Sequence, residues 1–126
     1  MEPEPQKINI DNWTTQLRKG LLELCIVNLL AKRDLYGYDL VKKLAGIRGL
    51  VVTEGTIYPL LSRLKRMGLL KTRLVESASG PARKYYALTP EGRRVRDTMN
   101  AYWNDLSLSL ENLREESEES DGRVDT

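Results

Sequence analysis

The hydrophobic period of this chain switches twice, and that order limits the folds open to it. From Asn12 to Met67 apolar residues recur at helical spacing. From Leu69 to Leu88 they alternate in the manner of strands, and from Thr89 to Leu113 the helical spacing returns. The expected order is helix, helix, helix, two-stranded hairpin, helix. The chain has 126 residues, enough for one ordinary domain with a modest core.

The first helix is expected over 12–32, with Asp11 or Asn12 as its cap. Leu17, Leu21, Leu24 and Val27 form one stripe, and Leu22, Ile26, Leu29 and Leu30 widen it. A helix apolar over so much of its girth has to be covered from more than one side. Asp34 and Gly37 mark a turn before a short helix over 38–45, with Leu40, Val41 and Leu44 inward. IRGLVV then connects, with a short strand expected at 50–52. In TEGTIYPLLSRLKRMG (53–68) the apolar face is Ile57, Leu60, Leu61, Leu64 and Met67. Thr53 is placed to cap this third helix and Gly68 to end it.

LLKTRLVES (69–77) and ARKYYAL (82–88) read as the two strands, with Gly80 and Pro81 at the tip between them. Thr89-Pro90-Glu91-Gly92 is a helix start: a hydroxyl cap, proline at the first position, an acid in the first turn. Val95, Met99, Tyr102, Trp103, Leu106, Leu110 and Leu113 carry that last helix over about five turns, and little sequence follows to cover the stripe. The expected class is mostly α with a small β-hairpin (α+β). Three helices followed by a hairpin form the winged helix-turn-helix arrangement.

Composition narrows the function. The chain has no histidine, which removes Ser–His and Cys–His pairs and every His-containing zinc site. It has one cysteine, Cys25, read as a small buried hydrophobe. No Gly-rich phosphate loop is present. An enzyme is therefore not expected, nor a metal or cofactor. The apolar run LLELCIVNLL is too short to span a bilayer, and MEPEPQK is unlike a signal peptide, so a soluble cytoplasmic protein with no membrane partner is expected.

Net charge is only +2, but it is unevenly spread. Residues 54–96 hold ten Lys/Arg against three acids, a net of +7, whereas 111–121 hold six acids and one arginine. A basic block of this kind suits a polyanion, though it also describes an ordinary solvated face. On the third helix Gly55, Pro59, Ser62 and Arg66 point away from the apolar face, flanked by Tyr58 and Arg63. Small residues near a helix start let the backbone approach DNA closely, and arginines there can bind phosphate or guanine. The expected contacts to double-stranded DNA are Thr56, Tyr58, Pro59, Ser62, Arg63 and Arg66 on that helix, with Arg83 and Lys84 on the hairpin.

At this point LRKGLLELCIVNLLAKRDLYGYDLVKKL, EGTIYPLLSRLKRMGLL and GPARKYYALTPEGRR, in that order and spacing, resemble the PadR family of bacterial transcriptional regulators, over about residues 17–113. The short single C-terminal helix suggests its smaller subfamily. The resemblance implies a homodimeric winged-helix repressor whose last helix crosses to the partner and packs beside its first helix. That suits the two uncovered stripes. Domains are then expected as a flexible arm (1–11), a winged helix-turn-helix DNA-binding domain (12–89), a dimerisation helix (90–114) and a disordered acidic tail (115–126). Val95, Met99, Tyr102, Trp103, Leu106, Leu110 and Leu113 would form the dimer contact. A dimer implies an inverted-repeat operator.

In some PadR-like multidrug-sensing regulators a tryptophan at the place of Trp103 stacks on flat aromatic compounds. Trp103 reads either as dimer-core packing or as the wall for a small planar aromatic effector. Two other classes stay open: a winged-helix adaptor that binds an acidic protein with no specific DNA site, and a drug-binding buffer without an operator.

Overall fold

The computed structural model describes residues 9–124. The elements are α1 (Ile10–Lys32), β1 (Leu35–Tyr36), α2 (Gly37–Ala45), α3 (Glu54–Arg66), β2 (Leu70–Ser77), β3 (Gly80–Leu88) and α4 (Pro90–Val124). The core lies where α1, α2 and α3 meet one face of the small sheet. Ile26, Val27 and Leu30 of α1, Leu40 and Leu44 of α2, and Ile57, Leu61 and Leu64 of α3 are fully buried there. Tyr86 and Leu88 close it from the sheet. Among the described residues no polar or charged side chain is buried. None of the described helices is long and apolar enough to cross a membrane.

The first helix starts earlier than expected. Asn9 caps it by accepting from the Asn12 amide at 3.0 Å, and Asp11 sits inside the first turn. Most of the expected arm lies outside the described residues. The strand expected at 50–52 is not formed. Gly49 (φ 88) and Val51 (φ 47) turn left-handed there, which breaks an extended run. A two-residue strand appears instead at Leu35–Tyr36, inside the turn expected between Asp34 and Gly37. It pairs antiparallel with β3, so the sheet has three strands in the order β1-β3-β2.

At the end of α3, Gly68 has φ 79 and donates to the Lys65 carbonyl, while the Leu69 amide donates to Leu64 at 3.0 Å. This is a Schellman stop, with glycine at the left-handed position. Met67 falls outside the helix at its C-cap and is exposed, so the expected apolar face is one residue too long. Thr53 occupies the N-cap position, but its hydroxyl pairs with that of Thr56 at 3.1 Å rather than with a backbone amide.

Thr89 does cap α4: its Oγ1 accepts from the Gly92 amide at 2.9 Å and donates to the Gly68 carbonyl at 2.7 Å. One side chain thus ties the start of α4 to the end of α3. The expected end of this helix near residue 114 is not observed, since α4 runs on to Val124. Half of residues 114–121 are glutamates, which have good helix propensity, and there is no proline and no glycine before Gly122. An Arg114–Glu111 pair at 3.0 Å adds i,i+3 support.

Candidate nucleic-acid interface

α3 buries one face and bares the other. Ile57 and Leu61 have no exposed surface, and Gly55, Thr56, Pro59, Ser62 and Arg66 on the far side are exposed. Pro59 is the sixth residue of the helix, so the Gly55 carbonyl lacks its usual i+4 donor. Arg66 has no ion pair among the described residues.

Two of the expected contact residues have other engagements. Arg63 reaches back to α1 and pairs with Glu23. Tyr58 lies over Gly37 beside Tyr86. A Cβ at Gly37 would sit 3.2 Å from the Tyr58 ring and 3.3 Å from that of Tyr86. The glycine between the two tyrosines of YGY therefore makes room for two further rings. Burial pushes the Tyr58 hydroxyl above the ordinary tyrosine range, with Glu54 and Tyr36 adding to the shift. It stays a neutral donor near neutral pH.

The hairpin tip is the pair Ala78–Ser79, because β3 already begins at Gly80. A register shift between Val75 and Ser77 places Pro81 beside a bulge, where its missing donor is tolerated. Arg83 and Lys84 are neighbours in sequence and so point to opposite faces of the hairpin. Lys84, opposite Leu74, lies on the face that continues into Tyr86. Arg83 lies on the other face, 5.0 Å from the centre of the Tyr36 ring.

That second face holds residues that reading the sequence missed. Tyr36 is 6.0 Å from Tyr85 and 6.4 Å from Tyr38, centroid to centroid. Arg73 sits 5.1 Å over Tyr85 and also pairs with Asp34 at 3.2 Å. Lys42 sits 5.4 Å over Tyr38. Three neighbouring rings thus run from β3 through β1 to α2, each with one cation over it. The opposition of Arg73 and Tyr85 depends on the bulge between Val75 and Ser77, which strand period does not reveal. The place of Tyr36 depends in turn on β1.

The expected dimer stripe divides in two. Val95 and Met99 pack partly on the chain's own core, whereas Tyr102, Trp103, Leu106, Leu110 and Leu113 are exposed, Tyr102 to 72%. Between α4 and the outer face of α1 runs an apolar groove of about 510 Å3 lined by Leu17, Gly20, Leu21, Leu24, Met99 and Trp103, among others. Cys25 is half-buried and packs against the core, and burial raises its thiol pKa.

Comparison with known proteins agrees with this geometry. The model of the transcriptional regulator PadR-like family matches residues 26–98. A PadR-like transcription factor from Bacteroides fragilis is similar in structure, with TM-score 0.68 and 46% identity, covering 82% of this chain and 99% of its own. A PadR family regulator from Eggerthella lenta gives TM-score 0.73 at 36% identity, covering 82% and 90%. A transcriptional regulator of Mycobacterium tuberculosis is 35% identical over 80 residues, 62% of this chain and 71% of that protein.

Proposed function

The chain belongs to the PadR-like family of transcriptional regulators, and from that premise we propose that it is a homodimeric repressor that binds an inverted-repeat operator. It is not an enzyme. The observation that carries the reading is α3, whose apolar face is locked in the core while Gly55, Thr56, Pro59, Ser62 and Arg66 stand bare. A helix presented in this way fits a major groove, with its N-terminal residues toward base edges. Arg83 and Lys84 on the wing, with the Arg73, Tyr36 and Tyr85 row, supply contacts to the flanking backbone. Bound to its operator, the protein acts in the cytoplasm.

The dimer reading rests on the uncovered apolar surfaces. Residues 90–114 serve as the dimerisation segment, and the groove on α1 receives the partner's α4. Gly20 supports this. Mid-helix glycine costs about 0.5–1 kcal/mol relative to alanine, and within the single chain a Cβ there meets nothing within 4 Å. A neighbouring helix laid close against it gives the residue a use.

Selection of genomic fragments by the purified protein tests the proposal. A few upstream sites sharing an inverted repeat are expected. Binding to one of them should weaken by about a thousandfold between about 50 and 200 mM salt, as counterions are released. Uniform retention lost at modest salt would instead leave the adaptor reading.

The groove also supports a second element of regulation. Trp103 and Tyr102 form aromatic walls beside an apolar floor, which suits a small planar aromatic effector that releases DNA. Planar cationic dyes are expected to quench tryptophan emission in the wild type, with most of the quenching lost in Trp103→Ala. Equal quenching of both proteins, through Trp13, would exclude the site.

A further inference from the structure

The start of α2 gathers polar groups that no contact within the chain uses. Tyr36 stands at the N-cap position and supplies no side-chain hydrogen bond, so the first-turn amides of this nine-residue helix lack a capping partner. Gly37, the first helical residue, lies under two rings. Cε1 and the hydroxyl oxygen of Tyr58 are 3.2 and 3.4 Å from the place of a Cβ on Gly37, and Cε2 of Tyr86 is 3.3 Å from it. Rings from α3 and β3 thus bring their phenolic ends to one helix start. Tyr86 is the more informative of the two. It is 7% exposed, yet its hydroxyl has no hydrogen-bond partner among the described residues. No fully buried side-chain oxygen or nitrogen among those residues lacks a partner, so this hydroxyl reaches solvent. A buried tyrosine usually pairs its hydroxyl, and phenylalanine would fill the same space in the core. The first-turn acid Asp39 lines the polar pocket on the Tyr85 side of the sheet, opposite to Tyr86, with Arg33, Lys42 and Lys43. Burial raises both hydroxyls above the ordinary tyrosine range, with Glu54 adding to the shift of Tyr58 and Tyr58 to that of Tyr86. Both are therefore neutral donors near neutral pH.

We propose that the hydroxyls of Tyr58 and Tyr86 and the first-turn amides of α2 clamp one DNA backbone phosphate in each half-site. This rests on the DNA-binding reading above and adds to it an uncharged anchor beside the recognition helix. Amides at a helix start point at an anion, and the macrodipole favours negative charge there. Tyr58 belongs to α3 and is next in sequence to Pro59 on the bare face, so a phosphate held at Gly37 borders the groove that α3 enters. A phosphate contact carries no sequence information but fixes the orientation of the protein on the duplex. Glu54, close enough to act on Tyr58, opposes a free anion. The occupant is therefore a phosphate of a duplex that cations elsewhere, such as Arg66 and Lys84, already hold.

The test uses an operator recovered by the fragment selection and compares the wild type with Tyr86→Phe and Tyr58→Phe/Tyr86→Phe. The Tyr86 hydroxyl has no partner within the chain, so Tyr86→Phe should melt within about 2 °C of the wild type. A hydroxyl that served the core would lower the melting temperature instead. Affinity should fall about tenfold, with one hydroxyl lost per protomer. The loss should be similar on operators with substituted base pairs, and the salt slope should be unchanged, because uncharged donors release no counterions. The operator is then scanned with methylphosphonates, which remove the charge of one phosphate, placed symmetrically in both half-sites. At one position the wild type should lose about tenfold and the penalty of Tyr86→Phe should vanish. A penalty that persists at every position, or normal affinity of the double variant, would overturn the proposal and leave operator recognition intact. Competition by inorganic phosphate at constant ionic strength would assign the cluster to a free anion and overturn it equally. Failure of the wild type to prefer any DNA site would remove the DNA-binding reading, and this inference with it.

Discussion

Gly92→Ala is expected to lower the melting temperature by about 10 °C. Gly92 is buried in the first turn of α4, and its amide donates to Thr89. A Cβ at this position would collide with the Leu69 carbonyl oxygen and lie 2.7 Å from Leu88 Cδ1. Neither neighbour has room to yield. Leu88 is 4% exposed at the end of the central strand, and the Leu69 carbonyl accepts from the Thr89 amide at 3.0 Å. To admit the methyl group α4 has to lift from the sheet, breaking the cap and exposing Val95 and Met99. Overpacking of this kind costs about 1–3 kcal/mol, and loss of a cap about 1 more. Gly46→Ala is the control. Its φ is −77 and the nearest atom to its Cβ is at 3.4 Å, so stability should stay within about 0.5 kcal/mol of wild type. Thermal unfolding followed by circular dichroism, at fixed protomer concentration, reads both. A shift below about 2 °C for Gly92→Ala would show that the α4 start is not held as described.

Arg66→Ala is expected to weaken operator binding by about 100-fold or more, since each dimer presents two copies and one arginine contact is worth about 1–3 kcal/mol. Arg66 stands at the bare face of α3 with no competing ion pair among the described residues. Arg63, one turn earlier, is held by Glu23, so Arg63→Ala should have a smaller effect. Titrations at several salt concentrations distinguish the mode of contact. A phosphate contact lowers the salt slope by about one per protomer, and a base contact leaves it nearly unchanged while relaxing sequence preference. Normal affinity for Arg66→Ala together with severe loss for Arg63→Ala would reverse the assignment of the two arginines.

Much of the site could be read along the chain, and the exceptions share a cause. The exposed face of α3 was legible because Ile57, Leu61 and Leu64 impose a helical period that sends Ser62 and Arg66 outward. The same period could not tell that Arg63 finds Glu23 forty residues earlier. Arg83 and Lys84 were found as charges on a wing, yet their opposite faces and the ring under Arg83 depend on β1, a strand too short to carry a pattern. Asn28 and Asn100 are ordinary polar residues in their own helices and exchange side-chain hydrogen bonds only when α1 meets α4.

Local physics determined the order of elements, the start at Thr89-Pro90, the stop at Gly68 and the inward leucines. Each depends on residues within a turn or two of one another, so backbone propensity and hydrophobic period suffice. Tertiary structure alone decided the third strand, the partners of Arg63 and Tyr58, the division of the α4 stripe at Met99 and the amide pair that joins α1 to α4. These are contacts between residues up to 72 positions apart. Their formation follows from the packing of whole elements, to which no local period corresponds.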